Sequence, residues 1–422
     1  MQLSVVIPSL NEADNLRILL PLLIQTIKGF VDEYEVLIID GGSKDDTKNV
    51  LKDSGGLYIR QSGAGYGDAL MTGIRVSRGQ YVLTMDADFS HDPSFIRILW
   101  QDRYKADILI ASRYVKGGSA SMPLVREILS RILNVVFGIA LSLPIHDLSS
   151  GYRLYRASVV KGIKMQSRNF DVLQEILIRA YADGWKIGEV PFHYIPRKHG
   201  RSHAKLIRFG ISYLKTFGRM WRLRNSIQCG DYDMRAYDSR IPLQRWWQRS
   251  RYKTVYLLSK GTGLCLDIGC GSSRILGGLG NGVGLDIQMP KLRFAKRYNK
   301  PLVQGSAWAL PFHDNTFDRI VCSQVIEHLV AGEGPFLEMS RILKEGGTLV
   351  IGTPDYGKRL WRLIERVYKL VVSNGYADEH ITRYTWKNLT RLLKSKGFLL
   401  QSTMYVMASE MVLRFIKSVN HS

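Results

Sequence analysis

Short apolar runs recur along this chain, each ended by a polar or acidic residue and followed by a segment of helical spacing. The runs at residues 3–7, 35–39 and 81–85 stop at Pro8, Asp40 and Asp86, and shorter strands are expected at 58–60 and 108–111. Residues 12–27, 46–53 and 66–76 carry the helical pattern between them. Continuous apolar strands are buried on both faces, so this alternation predicts an α/β fold, a mostly parallel sheet with helices on both sides. The pattern starts afresh after Gly263, with strands at 264–268, 282–286, 319–322 and 348–352 and a helix at 334–343. A polar, turn-rich stretch (225–239) and a helical one (243–258) lie between the two sets. A chain of 422 residues exceeds one ordinary core. Two α/β domains are therefore expected, 1–227 and 228–422, and their motifs are too different for them to be repeats.

The first domain gathers polar groups at the carboxyl ends of its strands, the edge where open α/β sheets bind ligands. Asp86 and Asp88 end the third long run, one residue apart. Hard carboxylate oxygens so placed suit Mg2+ or Mn2+ bridging a diphosphate, as a nucleotide sugar carries. Asp-x-Asp alone is common, but three more polar clusters fall on the same edge: Pro8 to Glu12, Asp40 to Thr47, and Gly65 to Leu70. Each is ordinary turn chemistry when taken singly.

The motifs Val5-Val6-Ile7-Pro8-x-x-Asn11-Glu12, Asp40-Gly-Gly-Ser-x-Asp-x-Thr47 and Met85-Asp-Ala-Asp-x-Ser-His-Asp-Pro93 resemble family 2 glycosyltransferases of the GT-A fold. Ala111-Ser-Arg-Tyr114, Asp147-x-x-Ser-Gly-Tyr-Arg153 and Gly188-Glu-Val-Pro191 extend the resemblance to the polyprenyl (dolichyl) phosphate mannosyltransferase branch, over about residues 1–210. The resemblance implies transfer of a sugar, mannose from GDP-mannose, to a polyprenyl or dolichyl phosphate with inversion. It assigns Pro8, Asn11, Glu12 and Asp40 to the nucleoside, and Asp86 and Asp88 to the metal and diphosphate. Arg113, Arg126 and Ser130 would grip the lipid phosphate; Arg197 and Ser202 would meet the donor phosphates. Asp86, Asp88, Arg113 and Arg197 form the implied catalytic set. One departure stands out. The family pattern Arg-x-x-Gly-x-Ser-Lys here has His203 at its last position, with Lys205 two residues on. Either Lys205 substitutes or that phosphate contact is weaker.

In the second domain Leu266-Asp267-Ile268-Gly269-Cys270-Gly271 follows a strand, and Asp286 ends the next one. A Gly-rich turn lets backbone approach a ligand, and an acid about twenty residues on suits a ribose. That much fits NAD or S-adenosylmethionine. Gly305-Ser-Ala-x-x-Leu-Pro-Phe312, Phe317-Asp318, Glu327-His328-Leu329 and Leu343-Lys-Glu-Gly-Gly347 resemble class I S-adenosylmethionine-dependent methyltransferases, whose Rossmann-like fold is expected over about residues 231–405. Asp267, Gly269, Gly271, Asp286 and Ser306 would bind the cofactor. Ser306 departs from the Asp that contacts the adenine amino group in the family. A degenerate, non-catalytic binding module is the alternative for this half. His328 and His380 are expected to be structural.

The balance of 59 Lys+Arg against 37 Asp+Glu, net +22, favours anionic partners. Residues 197–224 hold nine Lys/Arg, no acid and interleaved apolar residues, the pattern of a basic amphipathic helix on an anionic membrane surface. No nucleic-acid-binding motif is present, so nucleic acid is not an expected partner. No run reaches the roughly 18 apolar residues of a membrane span, and the opening residues, with no basic and apolar leader pattern, are not expected to be a signal peptide. Four cysteines give no disulfide framework and are expected to be reduced thiols. A cytoplasmic enzyme, peripheral on the cytoplasmic face of the membrane and attached through 197–224 and the apolar stretch 128–145, is the resulting expectation.

Overall fold

The computed structural model describes residues 1–52, 54–195, 206–371 and 380–419. Arg197, Ser202, His203 and Lys205 lie outside the described residues. Two compact units divide the chain, Met1–Tyr181 with Trp185–Trp221, and Ala182–Gly184 with Arg222–Ser422.

The first unit is built on a seven-stranded sheet in the order Leu57–Arg60, Tyr34–Asp40, Leu3–Ser9, Tyr81–Thr84, Arg153–Arg156, Ile108–Ser112, Ile187–Pro191. All neighbours are parallel except Arg153–Arg156, which runs antiparallel to both strands beside it. The apolar runs are buried as their composition predicts: Leu3, Val5, Val6 and Ile7 are all inaccessible. Helix Ala13–Lys28 closes one face with Leu16, Leu19, Leu20, Leu23 and Ile27, spaced three and four apart. The segment expected to be helical over 46–53 is helix only at Thr47–Val50. Gly73 of helix Tyr66–Val76 lies against the sheet, where a Cβ would stand 2.3 Å from Val6.

The second unit has its own seven-stranded sheet, Leu302–Gln304, Asn281–Asp286, Leu264–Ile268, Phe317–Ser323, Leu343–Pro354, Glu410–Lys417, Phe398–Val406. Glu410–Lys417 pairs antiparallel with both of its neighbours. That terminal hairpin is not predicted by the sequence reading. Leu343–Pro354 is also longer than the expected strand, because the Gly346-Gly347 pair continues the strand rather than preceding it. Among the described residues no helix is long and apolar enough to cross a membrane. All four cysteines are buried free thiols.

Candidate functional site

In the first sheet the chain moves outward from Leu3–Ser9 to Tyr34–Asp40 and Leu57–Arg60, then returns to the other side of Leu3–Ser9 as Tyr81–Thr84. The carboxyl ends of these central strands therefore flank a topological switch point, where a ligand crevice is expected. Ser9 through Glu12 stand on one side of it and Asp86 through Asp88 on the other.

The loops on the nucleoside side are tied together. Asn11 adopts the left-handed φ of 58° that asparagine tolerates. Its Oδ1 accepts from the Lys44 N–H (2.8 Å), and its own N–H donates to Ser43 Oγ (2.8 Å). Asp40 is buried and accepts from the N–H groups of Gly42 and Ser43 and from the Tyr58 hydroxyl (3.0 Å). Asp40 thus first of all folds its own Gly-Gly-Ser turn, a role that its place in the motif did not reveal. Pro8 is half-buried at the strand end. Glu12 accepts from Asn15 Nδ2 (2.5 Å).

Of the two carboxylates at the crevice, Asp86 is the more accessible, with 30% of its side chain exposed. It accepts from the Tyr66 hydroxyl (3.3 Å), whose pKa is pushed well above the usual range by burial and then by the Asp86 charge. Tyr66 stacks on Phe170 (4.4 Å between centroids). Asp88 is buried, and its Oδ1 accepts from the Ser90 N–H (3.1 Å). Between the pair and its serine, Phe89 holds φ at 60°, a strained value for an aromatic residue. His91 is buried and stacked on Tyr152 (4.8 Å). Its Nδ1 accepts from the Asp86 N–H (2.9 Å), which puts the proton of the neutral ring on Nε2, 3.9 Å from Asp86 Oδ2. The histidine of the Asp-Ala-Asp motif therefore positions the first aspartate.

Two of the residues expected to hold a lipid phosphate, Arg113 and Ser130, meet in a second network of the same unit. Arg113 is buried, and its guanidinium grips Asp147 through Nε and Nη2 (2.7 Å each) while Nη2 also donates to Ser149 (2.7 Å). Ser149 and Ser130 hydroxyls stand 3.1 Å apart, and Tyr114 donates to Ser130 (2.8 Å). Burial alone would raise the Asp147 carboxyl; the hydrogen bonds and charge of Arg113 outweigh it and hold the group below the usual carboxylate range. Glu189 completes the network by accepting from the Asp147 N–H (2.9 Å) and the Ser112 hydroxyl (2.8 Å). The three motifs quoted from 111–114, 147–153 and 188–191 are thus one hydrogen-bonded cluster. Arg113 is an internal ion-pair partner in this cluster, not an open cation, whereas Arg126 is exposed one turn before Ser130 on helix Leu124–Ala140.

That helix buries only Asn134 and Phe137. Leu124, Val125, Ile128, Leu129, Ile132, Val135, Val136 and Ile139 are exposed, the first two at 71% each. Phe137 meets Phe217 of helix Leu206–Asn225 edge-on (5.2 Å). On the second helix Ile211, Leu214 and Trp221 are exposed, as are Lys215 and Arg222. Two of its cations point inward, Arg219 to Glu175 (3.6 Å) and the fully buried Arg224 to Asp231 (2.6 Å). The count of basic residues over 197–224 therefore overstates the charge offered to a partner.

In the second unit the Gly-rich turn and the two acids come together. Gly269 and Gly271 hold φ of 65° and 54°, and a Cβ at Gly271 would stand 2.3 Å from Asp233 Oδ2. Asp286 accepts from the N–H groups of Gly271 (2.9 Å) and Gln288 (2.8 Å). Asp267 is buried, and its Oδ2 has no partner among the described residues. Burial, then the charges of Asp286 and Asp233, push its carboxyl well above the usual range. Ser306 is half-buried and its hydroxyl accepts from the Trp308 N–H (3.2 Å). Asp233 and Lys291, 3.5 Å apart beside this turn, belong to the site but to none of the quoted motifs.

Comparison with known proteins agrees with this division. Residues 4–163 match the model of glycosyl transferase family 2, and residues 266–351 match that of a methyltransferase domain. A dolichol-phosphate mannosyltransferase of Pyrococcus furiosus is 33% identical over 214 residues, 49% of this chain, which span only 60% of that protein's length. A polyprenol monophosphomannose synthase of Mycolicibacterium smegmatis is 34% identical over 244 residues, 53% of this chain and 91% of the relative. An undecaprenyl-phosphate mannosyltransferase of Micrococcus luteus is 32% identical over 215 residues, 48% of this chain and 87% of the relative. With a GT-A half at the front and a Rossmann-like half behind it, the chain belongs to glycosyl transferase family 2 and joins that transferase to a methyltransferase domain.

Proposed function

We propose that the first unit transfers a sugar, mannose by analogy with its relatives, from a nucleotide sugar such as GDP-mannose to a polyprenyl phosphate, and that the second uses S-adenosylmethionine to methylate a separate acceptor. The observation that carries the first part is the pair Asp86 and Asp88 at the switch-point crevice, flanked by the tied loops at Asn11 and Asp40.

Both implied cofactors fit the residues present. Asp86 and Asp88 offer hard carboxylate oxygens, one of them partly open, as Mg2+ or Mn2+ requires. A metal held there would offset the negative charge of the departing diphosphate. The chain's own groups do the rest. Tyr66 and His91 fix Asp86, and Ser90 fixes Asp88. Asn11 holds the Ser43–Lys44 loop beside Pro8, Glu12 and Asp40 for the nucleoside. Arg126 and Ser130 share a helix face toward the acceptor phosphate, and Arg113 acts through Asp147 and Ser149 to hold Ser130 in position. Arg197 and Ser202, or Lys205, would meet the donor phosphates from outside the described residues. A lipid monophosphate, with a second pKa of about 6, is anionic near neutral pH and needs no strong general base. Its oxygen bonds to the anomeric carbon as the bond to the nucleoside diphosphate breaks, with inversion.

Because Asp267 Oδ2 is buried with no partner among the described residues, the second unit suits the ammonium of an S-adenosylmethionine methionyl group. Gly269 and Gly271 let the backbone approach the cofactor, Asp286 faces the ribose, and Ser306 lies toward the adenine. The chemistry is the donation of an activated methyl group. Ser306 also favours a second reading, in which this half binds the cofactor or a partner without catalysis. Calorimetry with S-adenosylmethionine separates the two where no binding is seen, a result that ends the methyltransferase reading.

Attachment to an anionic leaflet is supported by the exposed apolar residues of Leu124–Ala140 together with Ile211, Leu214, Trp221, Lys215 and Arg222. Flotation with anionic vesicles should carry the protein upward, and failure to float rejects the attachment. Transfer itself is tested with a panel of nucleotide sugars and a polyprenyl phosphate, products read by mass spectrometry. Replacing Asp88→Asn should abolish the product; surviving activity would show that the metal has been assigned to the wrong residues.

A further inference from the structure

Behind the Gly-rich turn of the second unit lies a cluster to which the methyltransferase reading assigns no chemistry. Strand Phe317–Ser323 ends beside Leu264–Ile268, and the chain then forms a short 3-10 turn, Ile326–His328. The turn is in the cofactor crevice, since a Cβ on Gly269 would stand 2.3 Å from Val325. The Glu327 carbonyl accepts from the N–H groups of Ile381 (2.8 Å) and Thr382 (3.0 Å), which brings His380 to the same place. One ligand atom each from Glu327, His328 and His380 lies within 4.8 Å of the others.

We propose that Glu327, His328 and His380 form a site for a divalent first-row transition metal, placed to receive an oxygen of the methyl acceptor. The role toward the acceptor rests on the methyltransferase reading; the metal site does not.

Four observations carry the proposal. Glu327 is fully buried, and while its Oε2 accepts from Thr353 (3.1 Å), its Oε1 has no partner among the described residues. A buried carboxylate oxygen left this way is costly unless something cationic meets it. His380 is oriented through its other nitrogen: Nδ1 is 2.7 Å from the Tyr356 hydroxyl, which stands 3.2 Å from Glu365 Oε1. That is the outer-shell arrangement that fixes metal-bound histidines. His380 is further held by stacking on Trp361 (6.1 Å, 18°), and the two imidazoles meet edge to face at 5.0 Å. Finally, two imidazoles and one carboxylate are the donor set of Zn2+, Mn2+ or Fe2+ sites that keep positions open to a ligand; Mg2+ prefers all-oxygen surroundings. Bonds of about 2.1 Å place ligand atoms roughly 3–4 Å apart, so only a small closure is needed.

The test uses the full chain carrying Asp86→Asn and Asp88→Asn, which removes the other expected metal site. After chelation and dialysis against Zn2+, Mn2+ or Mg2+, bound metal is measured by mass spectrometry. About one equivalent of Zn2+ or Mn2+ should remain, falling below about 0.2 when His328→Ala or His380→Ala is added. Less than about 0.2 equivalents in the parent, or undiminished metal in both histidine variants, overturns the proposal. Where an alanine variant does not fold, His328→Gln with substituted Co2+ gives the same answer through its visible absorption, which changes only if His328 is a ligand. S-adenosylmethionine calorimetry on the same samples keeps the readings separate, because metal retained without cofactor binding ends the methyltransferase reading and leaves the site standing.

Discussion

Replacing Asp147→Asn tests the assignment of Arg113 as a positioning group. In the native chain the Arg113 guanidinium, 9% exposed, is matched by a fully buried carboxylate through two bonds of 2.7 Å, and the Arg113 N–H adds a third at 3.0 Å. The substitution leaves a buried cation facing a neutral amide, and removing one member of such a pair costs about 3–5 kcal/mol. With a urea dependence of about 2 kcal/mol per M, the midpoint for the first unit should fall by roughly 1.5–2.5 M. Fluorescence of Trp100 or Trp221, both in the first unit, follows the transition. Adding Arg113→Met to Asp147→Asn removes the stranded charge and should recover at least ~1.5 kcal/mol. The acid limb of the wild-type curve provides a second check. The Asp147 carboxyl is held below its usual range, so its contribution is complete above the unfolded pKa near 4 and is lost as pH falls through the lower folded value. Asp147→Asn should lack that part of the acid limb. A midpoint shift under about 0.3 M, with acceptor affinity alone reduced, would mean that Arg113 is a phosphate ligand and Asp147 incidental.

Other expectations concern the second unit. The Asp267 carboxyl is raised by burial and then by Asp286 and Asp233, so its contribution runs the other way: stability is highest below the unfolded pKa and falls as pH rises toward the folded one. Asp267→Asn should therefore raise the cofactor-free melting temperature at neutral pH, measured by calorimetry, while weakening S-adenosylmethionine binding. Gly271→Ala must adopt φ of 54° with its Cβ 2.3 Å from Asp233, and should cost about 1–3 kcal/mol of stability and most of the cofactor affinity. Ser306→Asp should strengthen S-adenosylmethionine binding by about tenfold, ~1.4 kcal/mol, in titration calorimetry, if the adenine amino group lies there.

How much of this was legible in the sequence follows from what each signal depends on. Strands buried on both faces announce themselves as largely apolar runs, so 3–7, 35–39 and 264–268 could be read directly. Arg153–Arg156 could not be: it is short, flanked by charge, and is a strand only because two others close around it. The terminal hairpin was hidden for a related reason, since Phe398–Val406 lies at a sheet edge and lacks a continuous apolar run. At the site, residue type pointed to chemistry but not to who meets whom. Asp147 and Glu189 were inside quoted motifs, yet their role depends on a contact with Arg113 or Ser112 across long stretches of chain. Asp233 and Lys291 carried no motif at all.

The antiparallel strand Arg153–Arg156 also dictates an order of assembly. The nucleoside loops and the aspartate pair come from residues 3–88, which are synthesised first, so the long-range pairing of Leu3 with Tyr81 can form before Arg153–Arg156 exists. The acceptor side cannot close until Arg153–Arg156 has slotted between Tyr81–Thr84 and Ile108–Ser112, with Thr84 Oγ1 donating to the Gly151 carbonyl (2.7 Å) across 67 positions. Contacts of such separation form slowly because the loop must be closed first. A chain emerging from the ribosome would thus hold a formed donor edge while its acceptor edge is still open, and slow synthesis between residues 88 and 156 would prolong that exposed intermediate.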